Sequence, residues 1–151
     1  MLRSDVLEHL ISKLPHRDPF LLITEVHHAE GGTGAGCWQV DGTEWFFKGH
    51  FPGDPVVPGV LVVESLAQLC GIVSMSSSTG QDMPSDMAMR LGQVDVRFHN
   101  AVVPPDRIML EATLVRELGG LFMFDVQANI ESGRVARGTI AVKSDAPESR
   151  S

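Results

Sequence analysis

The chain has no tyrosine, only two cysteines, and fewer cations than anions. Each shortage excludes something. Cys37 and Cys70 stand without CxxC spacing, so a disulfide framework and a thiolate metal site are both unsupported, and two reduced thiols packed in or near a core are expected. Twelve Lys and Arg against nineteen Asp and Glu leave a formal charge of -7, which argues against nucleic acid as the main partner, because that binding rests on clustered cations. The segment MLRSDVLEHLISKL lacks the apolar centre and small-residue cleavage site of a secretory leader. No uninterrupted apolar run approaches the roughly eighteen residues that span a bilayer, so no membrane insertion and a cytoplasmic location are expected. GGTGAG at 31–36 precedes no helical pattern, so a dinucleotide loop is unsupported, and nothing calls for a cofactor.

What is present suits one globular domain. A chain of 151 residues can bury roughly 68 to 70% of the surface its unfolded form exposes, so it needs no staple. Val6, Leu7, Leu10 and Ile11 follow Ser4 and Asp5 at helical spacing and predict a short amphipathic helix over 4–13. Pro15 and Pro19 break it, and an apolar, β-branched segment from about Phe20 reads as a first strand. AGCWQV is a second. Val60 to about Met75 is apolar at nearly every position and predicts a long helix buried on most sides. A Ser- and Met-rich loop over 76–88 leads into QVDVRFHNAVV, RIMLEATLVREL, LFMFDVQANI and RVARGTIAVK, four alternating segments that read as an antiparallel meander. The predicted class is α+β: a curved antiparallel sheet around one long central helix, a single domain over 1–143, and a polar tail over 144–151. The exposed edges of such a sheet invite pairing in a symmetric dimer.

One stretch carries the chemistry: WFFKGHFPGDPVVPGVLVVESLAQ, residues 45–68. Glu64 lies inside the apolar helix, where a carboxylate costs free energy unless it is hydrogen-bonded or faces a functional cavity. Gln68, four residues on, shares its face and can hold it; the two could also form an ordinary solvated stripe. His50 sits in a frame stiffened by Gly53, Pro55 and Pro58, which can fix a side chain without regular structure around it. A turn histidine bonded to backbone is the plainer account of it. Together, His50 and Glu64 make a usable base and acid pair, and Gly59 opens a helix whose free amide groups can face a developing oxyanion. Pro58 suits the cap or first turn, where its missing N–H is harmless.

LPHRDPFLLITEV, GHFPGDPVVPGVLVVESLAQ and VRFHNAVVPPD, in that order and spread over about residues 14–143, resemble the three sequence blocks of the 3-hydroxyacyl-acyl-carrier-protein dehydratases of fatty-acid synthesis. The resemblance implies the hot-dog fold, in which a sheet wraps a long helix. It implies His50 as catalytic base, Glu64 as acid, and a site completed across a homodimer interface, with trimers of dimers common in the family. The Gly59 N–H, with Val60 beside it, would bind the thioester carbonyl oxygen. The reaction implied is reversible loss of water from a (3R)-hydroxyacyl thioester, carried on acyl carrier protein, to a trans-2-enoyl thioester.

Glu64 matches the branch that only dehydrates, whereas Asp54 in GHFPGDP is reminiscent of the branch that also isomerises. Phe46, Phe47, Phe51, Phe98 and Val102 are candidates for the substrate tunnel, each equally suited to core packing. Asp18 stands where the family commonly has an aromatic, the missing tyrosines rule out a tyrosine gate, and Pro105 stands where glycine is usual, departures that fit a specialised polyketide, polyene or secondary lipid route as readily as housekeeping fatty-acid synthesis. Lys48, Arg97, Arg107 and Arg116 are candidates for a local basic patch that docks the acidic carrier. A hot-dog thioesterase and a non-catalytic acyl-binding subunit are the rival readings.

Overall fold

The computed structural model describes residues 4–77 and 89–144. Helix α1, Ser4–Lys13, turns Leu7 and Leu10 inward, and Leu14 follows them into the core. Strands β1, Glu25–Glu30, and β2, Thr33–Val40, form a hairpin across Gly31 and Gly32, whose φ angles of 63° and 79° are the left-handed pair that a tight two-residue turn demands. A single 3-10 turn, Trp45–Lys48, precedes the long helix α2, Gly59–Ser77. Strands β3, Met89–Phe98, β4, Asp106–Leu118, β5, Leu121–Ile130, and β6, Gly133–Ser144, complete one antiparallel sheet in the order β1-β2-β4-β5-β6-β3.

Helix α2 is the hub. Leu61, Val62, Leu66, Leu69, Cys70, Ile72 and Val73 are buried on several of its sides, and strands β1, β2, β4, β5 and β6 all pack against it. Such all-round burial is what an apolar helix without a polar stripe requires. Its buried hydroxyls are satisfied locally: Ser65 Oγ donates to the Val62 carbonyl at 2.7 Å and Ser74 Oγ to that of Cys70 at 2.8 Å. Gly34 lets β2 approach closely, since a Cβ there would lie 2.3 Å from Val73 Cγ2. Leu66 is fully buried at the centre, where truncation to Ala typically costs about 2 to 5 kcal/mol. By length and composition Gly59–Ser76 could cross a bilayer, despite the lack of an uninterrupted apolar run, but 67% of it is buried inside the fold as a core helix.

The structure corrects three expectations. The segment after Phe20 joins the sheet only at Glu25, because the Leu22 and Ile23 N–H groups are taken by the Gln68 side chain instead of a neighbouring strand. The meander holds for β4, β5 and β6, but β3 crosses to the far edge and pairs with β6. Residues 99–105, with Pro104 and Pro105, separate β3 from β4 and form no hairpin between them. Ser144 ends β6 rather than opening a tail; 145–151, like most of the expected loop over 76–88, lie outside the described residues.

Candidate active site

The segment from His50 to Val57 folds back on itself. The Phe51 N–H donates to the Asp54 carbonyl at 3.0 Å and the Asp54 N–H to the Phe51 carbonyl at 2.8 Å, a closed turn in which Gly53 takes φ 73°. Val56 N–H donates to the His50 carbonyl at 3.0 Å, and Val57 N–H to that of Val102 at 2.9 Å. His50 is therefore held by backbone on both sides. Its ring stacks on Phe51 with centroids 4.2 Å apart, and its Nδ1 lies 2.8 Å from the Val56 carbonyl oxygen.

A carbonyl only accepts, so Nδ1 carries the donated proton and Nε2 is the nitrogen left for chemistry. A cavity of about 330 Å³ opens beside it, lined by His50, Gly59, Val62, Phe98, Val102 and Val135 among others. Helix α2 points its first turn at this space. Pro58 is buried and its carbonyl accepts from Leu61 and Val62 at 3.0 and 3.2 Å, so the Gly59 and Val60 N–H groups have no helical acceptor. The helix end also carries partial positive charge. The imidazole of His50 and the unpaired amide of Gly59 thus border one apolar cavity.

Glu64 does not border that cavity within one chain. Its Oε1 accepts from Gln68 Nε2 at 3.1 Å and lies 3.1 Å from His16 Nε2. Gln68 is buried, and its amide clamps α2 to the segment after α1. Its Oε1 accepts from Leu22 and Ile23 N–H at 3.0 and 3.2 Å, and its Nε2 also donates to the Phe20 carbonyl at 2.9 Å. The solvated-stripe account of Glu64 and Gln68 fails, because a solvated glutamine would not spend every polar atom on buried backbone and one carboxylate.

The structure thus brings together His50, Gly59, Phe98 and Val102, stacks the exposed Phe51 ring on the histidine, and leaves Val60 largely in solvent at 76% exposure. Phe46 and Phe47 do not line this cavity: both pack in the core, Phe46 edge-on against Trp38 and Trp45 with centroids 6.1 and 5.4 Å away. His16 was missed by the sequence reading, although LPHRDPF was one of the quoted blocks. A histidine in a proline-broken loop carries no spacing signal toward a helix fifty residues later.

The four cations expected to form a patch do not sit together. Arg107 on β4 pairs with Glu25 at 3.2 Å and lies 3.2 Å from His27 Nε2, Arg116 lies at the other end of β4, Lys48 ends the 3-10 turn, and Arg97 lies on edge strand β3. Arg97 instead faces Arg137 directly across the β3–β6 ladder, and with Arg134 and His99 both line a groove of about 360 Å³ that shares His99 with the cavity. Arg134 Nε is buried there without a partner. Glu25, His27 and Cys37 hold three potential ligand atoms within 4.8 Å, but the Arg107 guanidinium already supplies the cation among them. The Cys37 sulfur first, then the Glu25 carboxylate, hold Arg107 above its usual range.

Residues 14–139 match the FabA-like domain. The chain is 38% identical over 123 residues to the 3-hydroxyacyl-(acyl-carrier-protein) dehydratase FabZ of Acinetobacter baylyi, covering 82% of each chain. It is 36% identical over 135 residues to the FabZ dehydratase of Thiobacillus denitrificans, covering 89% of this chain and 93% of that one. The chain belongs to the FabA-like family. Its hot-dog fold has solved counterparts in the dehydratase heterocomplex ApeI:P from Xenorhabdus doucetiae, at TM-score 0.74, 17% identity and 91% of both chains. Zebra fish thioesterase superfamily member 2 superposes at TM-score 0.68 and 15% identity over 97% of this chain and all of that one. Dehydratases and thioesterases thus share the architecture, and the fold alone does not choose between them. The sequence relatives place this family member among the dehydratases.

Proposed function

We propose that this FabA-like protein reversibly removes water from (3R)-hydroxyacyl thioesters of acyl carrier protein in fatty-acid biosynthesis, with His50 as base and Glu64 as acid. The observation that supports the assignment is the shared cavity: His50, whose Nδ1 is spent on the Val56 carbonyl, and Gly59 at the start of α2 line the same apolar space. With the thioester carbonyl oxygen on the Gly59 N–H and Val60 beside it, His50 Nε2 takes a proton from C2. Enolate-like charge gathers on that oxygen, where one such donor is worth about 3 to 4 kcal/mol. Glu64 protonates the C3 hydroxyl as its C–O bond breaks, water leaves, and the C2–C3 double bond forms. A positioned acid or base contributes on the order of 10² to 10⁴ in rate.

Since Glu64 lies outside the cavity of its own chain, the reading places the acid of each site on a second copy. Edge strand β3 suits that pairing: it is unpaired on one side and exposes Leu91, Val94 and Phe98 by 49, 40 and 53%. Joining two β3 edges removes both, and on this reading the acid-bearing helix of one copy serves the His50 of the other. Dimers of this kind can assemble further into trimers of dimers. The carrier would dock on the groove of Arg97, Arg134 and Arg137. Three arginines against the single carboxylate of Asp95 leave that groove net positive, which suits an acidic partner.

A thioesterase reading has no use for a base held with its Nε2 free beside a helix amide; a non-catalytic binder needs neither. Mixing the purified protein with trans-2-enoyl thioesters on carrier protein and on coenzyme A tests all three. Loss of the conjugated enoyl absorbance without thiol release supports the dehydratase. Thiol release, or no change on either substrate, overturns it.

A further inference from the structure

We propose that His16 is a positioning residue for Glu64: with Gln68 it occupies the carboxyl oxygen Oε1 with donors, which makes Oε2 the oxygen that carries the transferable proton. The inference rests on the reading of Glu64 as the acid. The Gln68 amide has one possible orientation. Its oxygen meets two backbone N–H groups, from Leu22 and Ile23, and reversing the amide would set an NH₂ against both. Its Nε2 therefore donates to Glu64 Oε1 at 3.1 Å.

His16 completes the pair. Its Nε2 lies 3.1 Å from the same Oε1, and its Nδ1 is buried without a partner. A proton on Nδ1 would be a buried donor with no acceptor, a costly arrangement, so the neutral ring carries its proton on Nε2, which lies beside Oε1. An O–H on Oε1 would then confront two N–H groups. Oε2 has no partner among the described residues and holds the proton when Glu64 is an acid. Once that proton leaves, the negative charge is shared with an oxygen that already accepts from Gln68 Nε2 and lies 3.1 Å from His16 Nε2, so the same two groups stabilise the product of transfer. The backbone under His16 is itself anchored: Arg17 Nη1 donates to the Leu14 and His16 carbonyls at 2.6 and 2.7 Å.

Glutamine and asparagine separate this role from bulk packing. In His16→Gln the amide Nε2 can reach the place of the imidazole Nε2, whereas in His16→Asn it falls short. In the full-length protein assayed on enoyl-carrier thioester, His16→Gln keeps kcat within about fivefold of the parent. His16→Asn loses about 10- to 100-fold in kcat, with KM changed less than threefold. Equal kcat in the two variants overturns the proposal. If either variant fails to fold, ¹⁵N NMR of the unaltered protein decides: a His16 ring protonated on Nε2 supports it, and one protonated on Nδ1 overturns it. Glu64→Gln is the control on the underlying reading. An active Glu64→Gln removes Glu64 as the acid, while an inactive Glu64→Gln beside a fully active His16→Asn removes only the role given to His16.

Discussion

His50 and Val56 are joined twice. The imidazole Nδ1 donates to the Val56 carbonyl at 2.8 Å, and the Val56 N–H donates to the His50 carbonyl at 3.0 Å. Ring tautomer and loop closure are thereby one feature, and it is why a loop residue can serve as a directed base.

Removing the ring should cost activity and little else. His50 is half-buried at the cavity wall, so His50→Ala is expected to fold with a thermal midpoint within a few degrees of the parent while kcat falls about 10²- to 10⁴-fold. Enoyl hydration followed at saturating substrate, beside a circular-dichroism melt, checks both halves. A variant within a few-fold of the parent would remove His50 from the chemistry.

The arginine groove makes a prediction about carriers. Arg97→Glu and Arg137→Glu reverse charge on the outer face of the sheet, outside the cavity that holds His50. Each should raise KM about 5- to 20-fold for the carrier-bound substrate and leave the coenzyme A thioester within about twofold, with the difference shrinking as salt is raised. Equal effects on both substrates would place carrier docking elsewhere.

Much of this was legible in the sequence, for identifiable reasons. Near-continuous apolarity from Val60 to Met75 suited a long helix buried on most sides, and alternation in the last three strands matched a half-buried sheet. The crossing of β3 to the far edge could not be read that way, because residue alternation reports which face is buried and not which strand lies alongside. His50 and Gly59 stood out because prolines and glycines crowd around them. His16 and the facing Arg97 and Arg137 depend on contacts across long sequence separations, which no local pattern encodes. Phe46 and Phe47 misled because an aromatic beside a site motif looks the same whether it lines a tunnel or fills a core.

Gln68 is the residue whose loss should damage stability most for its size. Gln68→Leu keeps the volume but abandons the Leu22 and Ile23 N–H groups and the Phe20 carbonyl, each worth about 1 to 3 kcal/mol when buried and unsatisfied. A loss of about 3 kcal/mol or more in denaturant unfolding is expected, together with faster amide exchange at Leu22 and Ile23. A loss below about 1 kcal/mol would mean that the 20–24 segment finds other acceptors and donors.

Cys70 ties stability to alkaline pH. It is fully buried at the centre of α2, and burial pushes its thiol well above the ordinary 9.0. The unfolded chain loses that proton near 9 while the folded chain keeps it, so the folded state binds more protons there. The stabilisation is complete below about pH 9 and is lost as pH rises above it. The absence of tyrosine makes the effect easier to isolate, because one side-chain type of that range is missing from the chain. Denaturant midpoints should fall between pH 8 and pH 10.5 in the parent and fall less in Cys70→Ala, whatever the variant's baseline stability. A thiol reagent should find Cys70 only after unfolding. An equal alkaline decline in the two proteins, or native-state labelling of Cys70, would show that the thiol is not sealed inside the helix-sheet core.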